Sequence, residues 1–288
     1  MQTLPVNLSR SSSDKVVFQC AQWRSLFRPW RGSCRVLLGR HRHGGDSDYA
    51  ELLMRVRVGA QTDNDIALIN STWSSFSDEQ RLLMPQLRSL RASAAQYNSE
   101  RLSELPGEAV SFFAADVVTS GTLAEKQSAV EQINQHADAL ITLKVQAPVV
   151  ALRRLSPNVP TGSVGRVVEF PASNEVVCLF KGVAVVVKTA KWDVFNDRGV
   201  VIGHRTQVPL LLAWALTIHR AQGSELDGVC IDFSRDDWAC DGLVYTALSR
   251  VRFLRSLCVR GLTMAIIKTS ATCLAFWTAL VEATESSL

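Results

Sequence analysis

The sequence predicts an α/β protein in which a parallel sheet is flanked by helices and carries a small antiparallel β-barrel as an insert. Helical and strand patterns alternate in the first and last parts of the chain, as expected for a sheet covered by helices. After about residue 140 the pattern changes to short β-branched runs separated by proline and glycine. Strands so short and so closely spaced are typical of a small antiparallel barrel or ribbon.

The composition is that of a globular chain with a modest positive charge. The 288 residues are 47% hydrophobic and 20% charged, and their formal net charge is +4. This excludes a disordered or collagen-like chain, and it permits a nucleic-acid partner without requiring one. The seven cysteines form no Cys-x-x-Cys pair, so we expect reduced thiols in an intracellular protein and no metal site. The longest uncharged apolar stretch, residues 208–218, is too short to span a membrane, and no membrane partner is expected.

Helices dominate the part of the chain before residue 140. The spacing of apolar residues predicts helices over residues 48–58, 66–71 and 97–105, and segment 72–90 is predicted to be helical on weaker evidence. A strand is predicted over residues 110–114, followed by a helical or irregular crossover over residues 123–139.

Strands dominate the middle of the chain, and the alternation of helix and strand returns after it. The predicted strands of the middle part are residues 140–145, 149–152, 165–170, 175–180 and 183–189. The predicted elements that follow are a strand over 210–215, a helix near 219–224, a strand over 229–233, a helix over 243–251, a strand over 256–260 and a helix over 270–285.

Polar side chains follow directly after the apolar strand that ends near residue 215. They are Thr217, His219, Arg220, Gln222 and Gly223, and a second apolar strand comes after them. Groups at the carboxyl end of a buried strand lie where open α/β sheets bind ligands. A hydroxyl, a cation and backbone N–H groups suit a phosphate or a nucleic-acid backbone.

A second set of candidate residues lies on the helix predicted over residues 243–251. Helical geometry places Tyr245, Leu248 and Ser249 within one turn, with Arg250 at the helix end. An arginine fixed there can bind a phosphate bidentately, as an arginine finger does in phosphoryl transfer. Taken singly, His219 and Arg250 are more often structural residues, but their order and spacing together favour a functional interpretation.

A strip of arginines precedes these elements and has two interpretations. Residues 24–42 contain six arginines and no acidic residue, interleaved with aromatic side chains. The strip could face phosphates with its aromatics stacked on bases, or it could be a solvated helix face. For Trp23 and Phe27 we favour packing into a core.

These segments carry a resemblance to a known family. Residues 217–227, TIHRAQGSELD, resemble motif V of the superfamily 1B helicases, and residues 245–252, YTALSRVR, resemble motif VI. This group contains the PIF-type DNA helicases and bacterial RecD. Upstream, QTLPV at residues 2–6 resembles the tail of motif III, HRH at residues 41–43 resembles a further family motif, and TGSVG at residues 161–165 resembles Asn-Gly-x-x-Gly.

The resemblance implies a fold of two RecA-like domains that hold ATP between them, with the second domain present in this chain. Residues 1–38 would be a remnant of the first domain from motif III onward. Residues 39–160 and 205–262 would form the second RecA-like domain, residues 161–204 the small β-barrel insert, and residues 263–288 a C-terminal helix.

The resemblance also implies roles for individual residues. Arg42 and Arg250 would contact the γ-phosphate, and Gln2 would sense it from the first domain. The residues expected near the nucleotide are Gly223, Glu225 and Tyr245. Those expected to hold single-stranded DNA are Thr217, His219, Arg220 and Gln222.

The implied activity is that of a 5′-to-3′ ATP-dependent DNA helicase of DNA repair, recombination and genome maintenance, in the nucleus or the mitochondrion. However, the sequence contains no Gly-x-x-x-x-Gly-Lys-Ser/Thr loop and no Asp-Glu motif II. We therefore expect ATP and Mg²⁺ to bind only in a complete helicase with the missing first RecA-like domain, and this chain alone to hold neither. Two alternatives stay open: a degenerate, non-catalytic nucleic-acid-binding protein, and a folded remnant without a DNA role.

Overall fold

A computed structural model describes Phe18, Trp23, His43 and residues 45–118, 123–172, 174–196 and 199–285. The chain divides into two compact units, one of Met1–Arg91 with Thr217–Leu288 and one of Ala92–Leu216. The second unit is therefore a continuous segment inserted into the first. Among the described residues, no helix is long and apolar enough to cross a membrane.

The helices of the described chain are mostly short. In chain order they are α1 (Ser47–Val58), α2 (Asp63–Ser71), α3 (Asp78–Leu83), α4 (Arg91–Glu104), α5 (Leu123–His136), α6 (Ile218–Ala221), α7 (Leu243–Leu248) and α8 (Ala271–Glu285). Helices α1, α2, α3 and α6 begin at side-chain caps. Short 3₁₀ turns occupy Thr72–Ser75, Leu254–Ser256 and Met264–Ile266. Helix α1 ends at Gly59, whose φ of 76° is the left-handed conformation that glycine adopts without steric cost.

The strands of the described chain are short as well. They are β1 (Gln86–Arg88), β2 (Val110–Phe113), β3 (Ala115–Val118), β4 (Leu140–Leu143), β5 (Pro148–Ala151), β6 (Val164–Ala172), β7 (Glu175–Phe180), β8 (Val183–Lys188), β9 (Ala190–Phe195), β10 (Val201–Gln207), β11 (Leu210–Leu212), β12 (Ala215–Thr217), β13 (Val229–Asp232) and β14 (Leu257–Arg260).

The predicted parallel sheet is present and has the strand order β12-β1-β13-β14. Strand β13 pairs in parallel with both β1 and β14. Strand β12 lies where the chain passes from the second unit back into the first. All four residues of β13 are buried, which agrees with the continuous apolar run expected of a strand covered on both faces.

Segment 72–90 differs from the helix predicted for it. It contains a 3₁₀ turn, the short helix α3 and the strand β1, which is buried along its whole length. Only three residues form β1, and its outer two, Gln86 and Arg88, are polar. No apolar periodicity marks such a strand, so its identity comes from pairing with β12 and β13, both far away in the sequence.

The second unit consists mainly of antiparallel sheets. Their strand orders are β11-β5-β6-β7-β8, β3-β10-β9 and β2-β4. These sheets include strands on both sides of residues 161–204, the predicted insert. At Gly165 a Cβ atom would lie 2.5 Å from Phe180 Cδ1 and 2.7 Å from the carbonyl oxygen of Leu179, so β6 and β7 can approach closely only because this residue is glycine.

A buried arginine connects three elements of the second unit. The Arg205 side chain on β10 is 2% exposed, and its Nε and Nη2 donate to the two Asp116 carboxylate oxygens on β3 at 2.7 and 2.6 Å. Its Nη1 donates to the Ala137 carbonyl at 2.6 Å and to Asn134 Oδ1 at 3.1 Å. The guanidinium therefore joins β3 and β10 to helix α5.

The two ends of the second unit are joined by an asparagine. Asn98, on α4, accepts a hydrogen bond from the Ala215 N–H at 2.8 Å and donates one to the Ala215 carbonyl at 2.9 Å. These are the two bonds that a neighbouring strand would make with Ala215. The side chain thus holds the start of the unit against its last strand.

A buried carboxylate at the start of α2 stabilises the first unit. Asp65 completes a capping box with Thr62 and receives two hydrogen bonds from Arg55, at 2.9 Å to Nε and 2.6 Å to Nη2. The hydrogen bonds from Arg55 are the main reason why the pKa of Asp65 falls from 3.8 to about 2. The ionised form is therefore favoured in the folded protein.

This depressed pKa predicts a loss of stability in acid. Because the folded pKa lies below the unfolded one, Asp65 contributes fully above about pH 5 and progressively less as the pH falls towards 2. We expect Asp65→Asn to lower the free energy of unfolding by about 1–2 kcal/mol near neutral pH, and the difference from the parent to shrink in acid. Urea titrations near neutral pH and near pH 2 measure it. Asp63→Asn, at an exposed site on the same helix, is the control, and a difference that stays constant with pH would contradict the assignment.

Candidate nucleic-acid interface

The predicted DNA-binding residues lie in one loop, residues 217–226, that begins at the end of β12. The Thr217 side-chain oxygen accepts a hydrogen bond from the Arg220 N–H at 3.4 Å and so caps the one-turn helix α6. Ile218 and Ala221 of that turn are buried, and they anchor it to the unit. His219 is exposed and Arg220 is half-buried, so the polar side of the turn faces outward.

The loop continues in a tight turn that glycine makes possible. Gly223 has a φ of +88°, and the space around its Cα is open. The Ser224 N–H closes the turn by donating to the Ala221 carbonyl at 3.1 Å. Gln222 and Gly223 are both exposed, so backbone and amide groups are presented beside His219.

Arg250, the predicted phosphate-binding residue, is buried and bonded to this loop. Its side chain Nη1 donates to the carbonyl oxygens of Ala221 at 3.3 Å and Ser224 at 3.2 Å. Its Nε donates to the Thr246 carbonyl at 2.7 Å, and its Nη2 donates to Ser249 Oγ at 2.7 Å. The structure thus brings together the two segments singled out in the sequence, with Arg250 as the clamp between them.

Two further contacts join the same segments. The Leu226 N–H donates to the Arg250 carbonyl at 2.9 Å. Glu225, predicted near the nucleotide, forms an ion pair with Arg252 at 2.6 Å. Since Arg252 is 59% exposed, water screens this pair, and it contributes little to stability.

Tyr245, the third residue predicted near the nucleotide, contacts a cation from helix α1. The Arg57 guanidinium carbon lies 5.9 Å from the Tyr245 ring centroid and 4.6 Å from that of Trp277 on α8. The neighbouring Phe276 stacks on Phe18 at 4.1 Å between ring centroids. The C-terminal helix therefore packs close to α7 through aromatic and cation–π contacts.

Three polar residues near the start of the first unit bond to the end of α7 and to the segment after it, and none of them was assigned to these contacts from the sequence. His43 Nε2 donates to the Val251 carbonyl at 3.1 Å, and Asp46 Oδ2 accepts from the Leu254 N–H at 3.0 Å. The Tyr49 hydroxyl donates to the Leu248 carbonyl at 2.6 Å, and burial strongly raises the pKa of this phenol. Asp46 also caps α1, and an aspartate just before a helical pattern is the signal that could have marked it.

Two predicted residues, Gln2 and Arg42, lie outside the described residues, so their roles stay predictions. The described part of the chain contains no group of three or more His, Cys, Asp or Glu side chains that could hold a metal ion. What the described residues supply is an exposed loop with a histidine, an arginine and an amide, fixed to the protein by a buried arginine.

Comparisons with known proteins find similarity to DNA helicases. The chain is 30% identical over 279 residues to the ATP-dependent DNA helicase PIF1 of Xenopus laevis, a match that covers 95% of this chain and 42% of that protein. It is 31% identical over 277 residues to the ATP-dependent DNA helicase PIF6 of Trypanosoma brucei brucei, covering 91% of this chain and 33% of that protein. This chain is a relative of the PIF-type DNA helicases. It spans less than half the length of these PIF-type proteins, and no family model matches it.

Solved PIF-type structures share the fold. The crystal structure of Pif1 helicase from Candida albicans matches 83% of this chain and 59% of that one, with a TM-score of 0.67 and 24% identity. Bacteroides Pif1 bound to ssDNA matches 84% of this chain and 55% of that one, with a TM-score of 0.57 and 21% identity. The predicted α/β class with a parallel sheet is therefore confirmed, and the small antiparallel barrel insert stays a prediction.

Proposed function

We propose that this chain is the C-terminal half of a PIF-type, ATP-dependent 5′-to-3′ DNA helicase and supplies its second RecA-like domain. The observation that carries the proposal is the set of hydrogen bonds from Arg250 to Ala221 and Ser224. These bonds join the loop assigned to DNA with the helix assigned to the nucleotide, so that a shift in one moves the other. A helicase needs such a link so that its affinity for DNA changes with the state of the bound nucleotide.

The 217–226 loop is the part that would hold single-stranded DNA. The His219 ring is exposed and flat, so a base can stack on it, and Arg220 can bind a phosphate. Gln222 adds an amide that can donate to the backbone, and Thr217 fixes the turn by capping it. None of these contacts reads a base edge, which suits an enzyme that must bind any sequence.

The described residues do not form an ATP site by themselves. The Arg250 guanidinium is bonded to protein oxygens, and the sequence has no phosphate-binding loop. We therefore place the phosphate loop and the Mg²⁺ ligands in the missing first RecA-like domain. Arg250, Arg42 and Gln2 would contribute to the γ-phosphate side of that composite site, with Gly223, Glu225 and Tyr245 nearby, and this chain alone would hydrolyse no ATP.

The proposal extends to domain organisation and setting. The antiparallel strands β6 to β10 would contain the small barrel insert of residues 161–204, between the parts of the second RecA-like domain at 39–160 and 205–262. Residues 1–38 would belong to the first domain. The complete enzyme would act in DNA repair, recombination and genome maintenance in the nucleus or the mitochondrion.

A DNA-binding measurement on the purified chain tests the assignment of the loop. We expect it to bind a fluorescent single-stranded oligonucleotide, with an affinity that falls as salt rises. His219→Ala and Arg220→Ala should each weaken binding by more than about fivefold, because each removes a stacking or phosphate contact of about 1 kcal/mol or more. Fluorescence anisotropy titrations measure the dissociation constants.

Arg255→Ala is the matched control, since Arg255 is an exposed arginine of the same unit outside the loop. It should lower affinity only slightly, through the net charge. If both loop variants bind like the parent, the loop is not the DNA site. If the parent binds no DNA even at low salt, the proposed function itself fails.

A further inference from the structure

Two cysteines face each other on neighbouring strands of the parallel sheet. Cys230 on β13 is directly opposite Cys258 on β14, and their side chains are 1% and 0% exposed. Residues in register on adjacent strands point to the same face, and such strands lie about 4.8 Å apart. That spacing falls within the separation of about 4.4–6.8 Å between Cα atoms that disulfides require. Both cysteines are free thiols in the structure.

The two thiols differ in acidity because they are hydrogen-bonded to each other. A hydrogen bond from Cys258 is the main cause of the lowered pKa of Cys230, and the Arg81 guanidinium lowers this pKa further. The same hydrogen bond is the main cause of the raised pKa of Cys258. Cys230 is therefore the better nucleophile of the pair, and Cys258 is the thiol placed to attack it in turn.

Helix α3 is attached mainly through Arg81, which donates to the Trp73 carbonyl at 2.8 Å and lies over the Trp73 ring. Gln86 is opposite Cys230 on β1, and its side chain hydrogen-bonds to that thiol. Its Nε2 also donates to the carbonyl oxygens of Arg81 at 3.0 Å and Met84 at 3.4 Å. Helix α3, from which Arg81 comes, has no buried residue, and Leu83 at its end is 84% exposed. An element with so little buried surface opens at low cost, which gives a reagent access to the thiols.

We propose that Cys230 and Cys258 are an oxidisable dithiol that closes to a disulfide between β13 and β14 on reaction with a small disulfide such as oxidised glutathione. Cys230 loses its proton and attacks one oxidant sulfur, and the expelled thiolate takes up that proton. Cys258 then loses its proton and attacks Cys230 Sγ in the mixed disulfide, expelling the second thiolate, which takes up the proton. Two cysteine thiols are oxidised while one oxidant disulfide is reduced to two thiols.

The disulfide would act on the candidate interface through the backbone. Strand β13 follows the 217–226 loop within three residues, and β14 follows the segment that contains Arg250 and Arg252. A covalent bond between the strands fixes the spacing of the two segments that Arg250 joins by hydrogen bonds. This inference does not depend on the proposed function.

Peptide mapping of the purified 288-residue chain tests the proposal. The native protein is incubated with oxidised glutathione, blocked with N-ethylmaleimide and digested with trypsin without reduction. Cleavage after arginine releases residues 221–235 with Cys230 and residues 256–260 with Cys258. We expect these two peptides as one disulfide-linked species that dithiothreitol separates.

Other cysteines of the same chain provide internal controls. Cys240 is exposed and should carry a glutathione adduct, whereas Cys178 and Cys273 are buried and should stay reduced. Adduct on Cys240 without the linked species overturns the proposal. So does a bond from Cys230 to any other cysteine, or a linked species that forms only in denaturant. In Cys258→Ser, Cys230 should stop at the glutathione adduct.

Discussion

Replacing Arg205 with leucine is expected to lower the free energy of unfolding by about 2–3 kcal/mol. The substitution removes the partner of Asp116 and leaves the carboxylate, the Ala137 carbonyl and the Asn134 amide oxygen without the donors they now have from Arg205. Most of the cost comes from the Ala137 carbonyl, which is buried and loses its charged donor; the Asp116 side chain is 35% exposed, so water can hydrate its carboxylate. Urea denaturation followed by circular dichroism measures the loss.

Arg166→Leu is the matched control for this prediction. Arg166 is an exposed arginine on β6 of the same unit, with one hydrogen bond to Gln146 at 3.1 Å. The same chemical change there should alter stability by less than about 0.5 kcal/mol. Arg205→Lys should fall between the two, because it keeps the charge but not the planar fork. An Arg205→Leu protein as stable as the parent would show that the ion pair does not hold α5 to the sheet.

Arg250→Ala is expected to lower the free energy of unfolding by about 3 kcal/mol and to weaken binding of single-stranded DNA by roughly tenfold. The first effect follows from carbonyl groups of Thr246, Ala221 and Ser224 that lose a charged donor in a buried place. The second follows because the loop that carries His219 loses its attachment to α7. Denaturation and anisotropy titrations on the same protein separate the two effects.

Arg252→Ala is the control for Arg250, two residues along the chain. Its ion pair with Glu225 is largely in solvent, so its removal should cost less than about 1 kcal/mol and leave DNA binding within a factor of about two. Equal effects of the two substitutions would contradict the assignment of Arg250 as the clamp.

The sequence predicted the fold class well because its apolar patterns are strong where the sheets are. The runs at β7 and β13 match the observed strands to within one residue, since β-branched residues and flanking turn residues mark both ends. The order of polar residues after β12 and on α7 was enough to single out both halves of the candidate interface before their contact was known.

What the sequence could not predict depends on tertiary contacts. Strand β1 is three residues long with polar ends, and only its pairing with β12 and β13 makes it a strand. The burial of Arg250 could not be predicted either, because an arginine at a helix end is usually exposed. The local sequence does not show that the carbonyl groups of residues 221 and 224 accept hydrogen bonds from its guanidinium. The facing of Cys230 and Cys258 depends on strand register, which is a property of the sheet rather than of either segment.

The two hydrogen bonds between Asn98 and Ala215 have a consequence for the order in which the chain folds. Strand β1 must wait for its partners β12 and β13, which are synthesised more than a hundred residues later, a delay of roughly 10–30 s on a ribosome. The inserted unit is complete before β13 emerges. Once Asn98 has closed that unit at its two ends, the long loop between β1 and β13 becomes a short one, and much of the entropy cost of pairing them has already been met. Folding of the inserted unit first is thus the fast route to the parallel sheet, and residues that stabilise this unit also set the rate at which the other unit assembles.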